Sequence, residues 1–380
     1  MRRRVFFYVQ HLLGVGHLFR AVRVAHGLRN AGFEVDLVTG GGPVANLDLD
    51  GLNVTQLLPL KAGPEGFSDL VMITGEPASI EIKERRTSEL LGAFDRSHPD
   101  IVLIEAFPFG RRQMRFELLP LLEAAHRRDP RPVVVSSVRD ILQESRHPQR
   151  LHETIAILRR SFDAIIVHGD PRLAKLDETF PIPDDLRKSV FHSGIVAPAP
   201  PQSKRNSGQN AAVVVSAGGG AVGRKVLEAA IAAKPLTSLA AARWLVLTGP
   251  NLVDSDFDHL RKIGEGNNIA VQRFILDLAA VLALAKMSIS QAGYNTVADV
   301  LSARCPAVFV PFSDAGETEQ TRRAGLLQAR GFGVKLDEAD LSPLSLAAAV
   351  ERALTLPPPA FSLELDGAAR TGTILAGLVG

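Results

Sequence analysis

The chain has 380 residues, about two to three times the size of a common domain, which favours two domains. Hydrophobic residues make up 46% of it and charged residues 22%, a composition that excludes a mainly disordered or fibrous protein. The net charge of +2 excludes wholesale nucleic-acid binding, so no nucleic-acid partner is expected. The single cysteine, Cys305, excludes disulfides within the chain and multi-cysteine metal sites.

The first residues, MRRRVFFYVQH, are not expected to be a signal peptide, because the apolar run from Val5 to Val9 is short and polar residues end it. We interpret this run as a buried first strand. No stretch reaches the about 18 uninterrupted apolar residues of a membrane span. We therefore expect a cytoplasmic protein, with peripheral contact at the inner face of the membrane as the alternative.

Short β-rich segments alternate with helical patterns, which is typical of βαβ units and parallel sheets. Before residue 195 these segments are RVFFYV, EVDLV, DIVLI, PVVVS and DAIIV, and after residue 210 they are AVVVS, RWLVL, NIAVQ, MSISQ and AVFV. A stretch rich in proline and serine separates the two sets. We therefore predict two doubly wound domains at 1–196 and 211–356, a linker at 197–210, and a tail with a last helix at 357–380.

A glycine-rich turn joins the first predicted strand to the first helix. Gly14 and Gly16 frame this turn, and His17 follows at the helix start. Open α/β sheets bind ligands at the carboxyl ends of their strands, so His17 is a candidate general base, with capping or packing as the alternative. Phe19 stands where a dinucleotide fingerprint would have its third glycine, and Thr39 stands where it would have an acid. Nicotinamide binding is therefore disfavoured, and no cofactor is predicted.

Two acids of the same half compete with His17 for the role of base. They are Glu105 and Asp140, and each comes directly after a predicted strand. Glu105 begins the segment EAFPFGRRQMRFELLP, which mixes aromatic residues with three arginines. This mixture suits an anionic or lipid-linked acceptor, and a solvated helix start explains it equally well.

A second glycine-rich turn opens the C-terminal half. It holds Gly218, Gly219 and Gly220 and is followed by Arg224. Backbone amides, a helix dipole and a cation together suit a diphosphate, and a flexible turn with solvated cations is the alternative. The turn lacks the GK[ST] ending of a P-loop, so ATP hydrolysis is not expected.

Two D-x-D sequences, at 48–50 and 254–256, have the form by which other sugar transferases hold a divalent cation. Acids are common in turns and at helix starts, where they cap backbone amides. We therefore predict no metal site.

Residues 273–331 resemble the nucleotide-sugar half of glycosyltransferase family 28, the family of the peptidoglycan N-acetylglucosaminyltransferases. The motifs that carry the resemblance are F-I-x-D-L-A from Phe274, A-G-x-x-T-V-x-D from Ala292, P-A-V-x-V-P from Pro306, and E-Q with R-A-x-L-L from Glu319. The segment G-x-G-H-x-x-R-A from Gly14 is similar to the first glycine loop of that family, and the second glycine turn is similar to its second loop.

The resemblance implies a GT-B fold, in which two Rossmann-like, doubly wound parallel-sheet domains face a cleft and the C-terminal one binds a UDP-sugar. The donor-binding residues that it implies are Phe274 and Ile275 for the uracil, Asp299 for the ribose, Gly293, Asn295 and Thr296 for the diphosphate, and Glu319 and Gln320 for the sugar. For Asp299 and Glu319 helix capping is the alternative. The family's arginine before the second domain is missing here, so Arg224, Arg322 or Arg323 is expected to supply that charge.

The implied function is transfer of a hexosyl group from a UDP-sugar to a hydroxyl acceptor, with inversion and without metal. His17 would be the base or an oxyanion contact. The acceptor would be a glycan, a lipid-linked sugar or a small molecule. Two alternatives remain: an isomerase similar to the UDP-sugar 2-epimerases, which also use two Rossmann-like domains, and a non-catalytic nucleotide-sugar binder.

Overall fold

The structure is a computed structural model whose residues fall into two compact units. The first unit comprises Met1–Pro171, Lys175–Val196 and Asp366–Gly380, and the second comprises Arg172–Ala174 and Ala197–Leu365. The described residues are 2–12, 14–44, 47–63, 66–143, 148–199, 211–219, 222–313 and 317–380. Most of the predicted linker therefore lies outside the described residues, as does Gly220. The predicted tail divides between the units, because its last helix packs on the first and its beginning on the second.

The chain forms strands and helices in regular alternation. The strands are β1 (Arg4–Val9), β2 (Glu34–Thr39), β3 (Asn53–Gln56), β4 (Leu60–Gly63), β5 (Gly66–Met72), β6 (Ile101–Glu105), β7 (Val133–Arg139), β8 (Ala164–His168), β9 (Val190–His192), β10 (Val213–Ser216), β11 (Trp244–Leu247), β12 (Ile269–Gln272), β13 (Met287–Ser290), β14 (Ala307–Phe309) and β15 (Val334–Lys335). The helices are α1 (Gly16–Asn30), α2 (Ile80–Ser97), α3 (Arg115–Arg127), α4 (Pro148–Ser161), α5 (Asp184–Arg187), α6 (Arg224–Ala233), α7 (Asp254–Gly264), α8 (Leu278–Leu282), α9 (Tyr294–Ala303), α10 (Glu319–Ala329), α11 (Pro343–Leu354) and α12 (Gly367–Leu378).

Besides an antiparallel pair of β4 and β5, the first unit is built on a seven-stranded sheet with the strand order β3-β2-β1-β6-β7-β8-β9, in which neighbouring strands are parallel. Helices cover both of its faces. On β1, Val5 and Phe7 pack with α1 and α12, whereas Phe6 and Tyr8 pack with α2 and α3. This two-sided burial explains why β1 is a continuous apolar run without polar alternation.

Helix α12 brings the end of the chain onto the first helix. Gly27 of α1 lies so close to it that a Cβ there would come within 2.4 Å of the Ala368 carbonyl oxygen. Gly372 makes the same kind of approach, since its Cβ would lie 2.6 Å from Cβ of Ala31. Glycine at these positions lets the two helix backbones pack closely.

The second unit holds a sheet with the order β12-β11-β10-β13-β14-β15, again with parallel neighbours. Val213, Val215 and Trp244 are fully buried in its core with residues of α6 and α11. Each sheet reverses its strand order beside its first strand, at β1 and β6 in the first unit and at β10 and β13 in the second. The prediction of two doubly wound parallel-sheet domains is confirmed, and each of the ten predicted strands is present.

Among the helices that the structure describes, none combines the length and the apolar character needed to cross a membrane. Within the same residues, no group of three or more His, Cys, Asp or Glu side chains lies close enough to hold a metal ion.

Candidate active site

His17 and Glu105 meet where the strand order of the first sheet reverses. His17 is the second residue of α1, which follows β1, and Glu105 ends β6, the strand beside β1. His17 Nδ1 lies 3.0 Å from Glu105 Oε1. The carboxylate is buried, whereas the imidazole keeps 18% of its surface exposed. The fold thus brings together two of the three residues that the sequence nominates as the base.

The charges around this pair set its protonation. Arg20, one turn along α1, forms an ion pair with the same carboxylate oxygen. Burial alone would raise the pKa of Glu105, but the charge of Arg20 and the hydrogen bond to His17 hold that pKa well below its usual range. Burial, together with the charge of Arg111, lowers the pKa of His17 to about 3. At neutral pH the carboxylate is therefore ionised and the imidazole is neutral.

These protonation states decide which ring nitrogen of His17 can act as a base. An ionised carboxylate only accepts hydrogen bonds, so Nδ1 of His17 carries the proton and donates it to Glu105. Arg20 Nη2 lies 3.2 Å from the same nitrogen and donates to the Glu105 carboxylate. Nε2 of His17 is left with its lone pair. The arrangement is that of a general base oriented by a buried acid.

Asp140, the third candidate base, lies buried directly after β7. Its Oδ1 accepts the backbone N–H of Ile141 at 2.8 Å. A Cβ at Gly169 would lie 2.5 Å from the Cβ of Asp140, so the turn after β8 packs tightly against this residue. The carboxyl group is held in its own turn, and its role as a base stays a prediction.

His17 lines a cavity of about 700 Å³ within the first unit. Its described lining contains no aspartate or glutamate and five arginines, which are Arg111, Arg112, Arg115, Arg139 and Arg150. Burial lowers the pKa of Arg111 to about 10, and Arg139 beside it acts in the same direction. Glu153 forms ion pairs with Arg112 and Arg115. The sequence pointed to the first three arginines, whereas Arg139 and Arg150 come from β7 and α4, which only the fold brings to this wall.

The two glycines of the first turn lie at different positions relative to α1. Gly16 is the first residue of α1. Gly14 lies before the helix, and a Cβ built there would meet no atom within 4 Å. The turn is thus open at Gly14, as a phosphate or acceptor loop requires, although its ligand stays a prediction.

The second unit has its own glycine turn after β10. Gly218 has a φ of +61°, which only glycine adopts readily, and Gly223 leaves no room for a side chain because its Cβ would lie 2.1 Å from that of Ala217. Arg224 begins α6 and pairs with Glu228 at 2.8 Å and Asp256 at 2.6 Å. The predicted cation thus already has two carboxylate partners in the structure.

Beside this turn lies the start of α9, at the end of β13. The helix begins at Tyr294, so Asn295 and Thr296 are in its first turn. Asp299 falls in the second turn and is 8% exposed. The helix starts too early for Asp299 to cap it, so the capping alternative for this residue is wrong. A Cβ at Gly293 would meet no atom within 4 Å, so this backbone is open to a ligand.

The next candidates, on α10, hold the ends of β13 and β14 together. Gln320 Oε1 accepts the backbone N–H groups of Ala292 and Phe312, at 3.0 and 3.3 Å. Arg323 donates to Glu319 Oε1 at 2.8 Å and to the Ala292 carbonyl at 3.0 Å. Both predicted sugar-binding side chains thus bind the protein's own chain, and their contact with a sugar stays a prediction.

The remaining donor candidates lie after β12. Phe274 is 44% exposed and Leu276 is 74% exposed, whereas Ile275 between them is half-buried. Exposed apolar side chains at the carboxyl end of a parallel strand are placed to contact a flat base. The uracil contact stays a prediction.

The acids of the second D-x-D sequence are engaged in ion pairs. Asp254 pairs with Arg273, and Asp256 pairs with Arg224. Both lie in the first turn of α7, where acids favour the helix dipole. This pairing fits the structural explanation of the sequence.

Part of the chain matches the model of a known family, and a curated relative matches along most of it. Residues 213–361 match the model of the Glycosyltransferase family 28 C-terminal domain. A UDP-N-acetylglucosamine–N-acetylmuramyl-(pentapeptide) pyrophosphoryl-undecaprenol N-acetylglucosamine transferase from Mesorhizobium japonicum is 26% identical over 346 residues, which cover 88% of this chain and 83% of that relative. An uncharacterized glycosyltransferase from Methanopyrus kandleri is 26% identical over 166 residues, which cover 43% of this chain and 44% of the relative.

Solved glycosyltransferases share the fold along the whole chain. MurG of Acinetobacter baumannii superposes with a TM-score of 0.58 at 17% identity, covering 99% of this chain and 98% of MurG. The glycosyltransferase VinC, solved in complex with dTDP, gives a TM-score of 0.62 at 14% identity, with coverages of 99% and 96%. These structures confirm the GT-B fold, and the family model confirms the resemblance of the sequence motifs. The chain therefore has the GT-B fold of glycosyltransferases, and its residues 213–361 match the C-terminal domain of glycosyltransferase family 28.

Proposed function

We propose that this glycosyltransferase moves a hexosyl group from a UDP-sugar to a hydroxyl group, with His17 as the general base. The observation that carries the proposal is the oriented pair of His17 and Glu105 at the wall of the arginine-lined cavity. The family match of residues 213–361 supports transfer over isomerisation. The relative from Mesorhizobium japonicum is named for UDP-N-acetylglucosamine, so this is the first donor to test.

The chemistry follows from the lone pair on His17 Nε2. The acceptor oxygen attacks the anomeric carbon while its proton passes to Nε2. The bond between that carbon and the phosphate oxygen breaks, and UDP leaves with the electron pair. A single displacement inverts the anomeric centre. Burial and the charge of Arg111 oppose the imidazolium that forms, and the buried Glu105 carboxylate, which already holds Nδ1–H, stabilises it.

The donor is proposed to bind at residues 211–356. Support comes from the open backbone at Gly293 and from the left-handed turn at Gly218, which lie at the ends of two adjacent strands. Helix starts and glycine turns bind phosphate groups through backbone N–H groups. We propose that transfer needs no metal, because the acids at 254 and 256 are paired with arginines. Turnover that is unchanged by EDTA would support this, and loss restored by Mg²⁺ or Mn²⁺ would contradict it.

We propose further that the acceptor carries a negatively charged group beside its hydroxyl. Five guanidinium groups surround one cavity, and burial disfavours the charged form of one of them, Arg111. This arrangement favours binding of an anion such as a phosphate or a carboxylate. The apolar part of the wall includes Phe109 and Phe180, whose rings pack edge to face at 4.8 Å. An acceptor phosphate linked to a lipid or to a soluble sugar would both satisfy this chemistry.

The central experiment measures UDP release by the full chain with UDP-N-acetylglucosamine, other UDP-sugars and dTDP-sugars, with and without candidate acceptors. Transfer predicts release that depends on the acceptor and yields a product of inverted configuration. An epimerase would convert UDP-N-acetylglucosamine without any acceptor, and a binder would show affinity without turnover. Either result would overturn the proposal.

The acceptor site is tested on α4, which offers a matched pair of arginines. Arg150 lines the cavity, whereas Arg159 pairs with Asp185 outside it. With saturating UDP present, the wild type is expected to bind inorganic pyrophosphate. Arg150→Gln is expected to weaken that binding by roughly 10-fold, the loss of one charged hydrogen bond. Equal effects of Arg150→Gln and Arg159→Gln would contradict an anion site in the cavity.

A further inference from the structure

A chain of buried hydrogen bonds runs from the candidate acid across the first sheet. Ser137 Oγ, on β7, lies 2.6 Å from Glu105 Oε2 and 2.9 Å from Nε2 of His168, which ends β8. His168 Nδ1 lies 2.9 Å from the hydroxyl of Ser193, which follows β9. All four side chains are at most 1% exposed. These hydrogen bonds therefore link β6, β7 and β8 to the segment after β9 through buried side chains.

The charge of Glu105 decides which atom donates in each of these hydrogen bonds. Glu105 is ionised and can only accept, so Ser137 donates its one hydroxyl proton to Oε2. The Ser137 oxygen must then accept from Nε2–H of His168. Burial, with the charge of Arg20 second, lowers the pKa of His168 to about 3, so its ring is neutral and Nδ1 has no proton. The Ser193 hydroxyl has one proton and three acceptors within reach, which are Nδ1 of His168 at 2.9 Å, the Gly194 carbonyl at 3.1 Å and the Val167 carbonyl at 3.5 Å. We assign the proton to the nearest of them, Nδ1.

We propose that Ser137, His168 and Ser193 are positioning residues that hold the Glu105 carboxylate in the orientation that selects the reactive form of His17. With Oε2 occupied by Ser137, the plane of the carboxylate is fixed and Oε1 is presented to Nδ1–H of His17. Nε2 of His17 then keeps the lone pair. The inference rests on the proposed role of His17 as the base, and it extends that role to three residues outside the cavity lining.

The neighbouring serine shows that burial alone does not require such a chain. Ser136 is as fully buried as Ser137 and donates at 2.7 Å to the backbone carbonyl of Phe107. One backbone acceptor is therefore enough to satisfy a buried serine on β7. Ser137 instead joins two ionisable side chains, Glu105 and His168, whose burial is costly unless each polar atom is bonded. Ser136 is thus a matched control for Ser137.

The test reads the tautomer of His17 directly, by ¹⁵N NMR of the full chain labelled at its histidine rings. The His17 signals are assigned by their absence in His17→Gln. The wild type is expected to show Nδ1–H, and Ser137→Ala is expected to raise the share of the Nε2–H form about 5-fold, since the hydrogen bond that holds Oε2 is lost while Arg20 still holds Oε1. Ser137→Thr, which keeps the hydroxyl, and Ser136→Ala are expected to match the wild type.

Turnover of UDP-N-acetylglucosamine supplies a second measurement. Ser137→Ala is expected to lower kcat by about 10- to 100-fold, a usual loss for a residue that orients a reacting group through another one, with the donor KM unchanged. Ser137→Thr should restore kcat. Ser193→Ala removes the last hydrogen bond of the series, the one to His168. It serves as the same test if Ser137→Ala does not fold.

The two readouts separate this proposal from the proposed function. An unchanged His17 tautomer in Ser137→Ala, or the same change in Ser136→Ala, overturns the positioning chain whether or not the protein transfers sugar. If the tautomer responds as expected but no UDP-sugar is turned over, the positioning chain stands and the transferase proposal fails.

Discussion

The two sheets reverse their strand order at equivalent places, yet the two reversal points differ in chemistry. In the first unit, His17 and Glu105 place a partly buried imidazole and a buried carboxylate there, joined side chain to side chain. In the second unit, Gly218 and Gly293 leave the backbone open at the same place. The doubly wound fold determines where a ligand can bind, and the local sequence determines whether that place offers ionisable side chains or open backbone.

The largest expected effect tests the side-chain chemistry of the first unit. His17→Ala should lower kcat by roughly 100- to 10,000-fold, because the base is lost, while UDP affinity stays at the wild-type value. His26, on the same helix, bonds the Asp48 carbonyl at 2.8 Å, so His26→Gln is the control and should keep full activity. Kinetics and UDP binding by calorimetry supply both numbers.

Parallel measurements on Glu105→Gln and Asp140→Asn separate the competing bases. Glu105→Gln should lower kcat through His17, and Asp140→Asn should have the smaller effect, since Asp140 bonds its own turn. Near-normal kcat in His17→Ala would contradict the role of His17 as the base. The two units would then no longer be expected to differ in proton transfer.

A second buried charge cluster in the first unit tests whether buried charge there always belongs to the site. Arg86 donates to Glu117 at 2.6 Å and to the Gly40 carbonyl at 2.8 Å, and neither charged side chain is exposed. Glu117→Gln should cost about 3–5 kcal/mol of unfolding free energy, because it leaves the arginine charge buried without a counterion. Glu123 pairs with Arg127 at the surface of the same helix, and Glu123→Gln should change stability by less than about 1 kcal/mol.

Denaturant unfolding measures both variants, and turnover is compared at a temperature where each is folded. We expect Glu117→Gln to keep its kcat under those conditions. A folded Glu117→Gln protein with wild-type stability and no activity would show that this cluster belongs to the site.

A substitution at Asp299 tests the proposed donor site of the second unit. Asp299→Ala should weaken UDP binding by roughly 1.5–3 kcal/mol, the value of a hydrogen bond to a charged acceptor. Asp258, exposed on α7, is the control, and Asp258→Ala should leave affinity unchanged. Wild-type UDP affinity in Asp299→Ala would make Asp299 structural and leave the donor to backbone groups alone.

The smallest effect concerns pH. His168 has a pKa of about 3 in the folded chain and an ordinary value near 6.5 when unfolded, so the unfolded state binds more protons between these pH values. The contribution of His168 to the free energy of unfolding is therefore at its maximum above pH 6.5, and it is lost as pH falls towards 3. At pH 5 this loss is about 2 kcal/mol. His168→Gln should accordingly show a shallower fall of unfolding free energy from pH 7 to 5, and equal slopes would contradict a neutral buried ring.

The sequence alone indicated the strands that form the centres of both sheets. Strand β1 and strand β10 are runs of apolar residues that can be buried on both faces, and such runs are recognised from hydrophobicity. The strands that the sequence did not indicate, such as β3, β9 and β15, are short, lie at sheet edges and are partly polar, so their pattern resembles that of a loop.

Within the site, the sequence indicated His17, Glu105 and the glycine turns, because each stands directly after a strand and local pattern locates strand ends. Only the tertiary structure decided that His17 and Glu105 touch, that Arg139 lines the same cavity, and that Ser137 is bonded to His168. The physical reason is that neighbouring parallel strands are far apart along the chain. Contacts between their ends depend on strand order and register, which are set by packing across the whole sheet and leave no local pattern in the sequence.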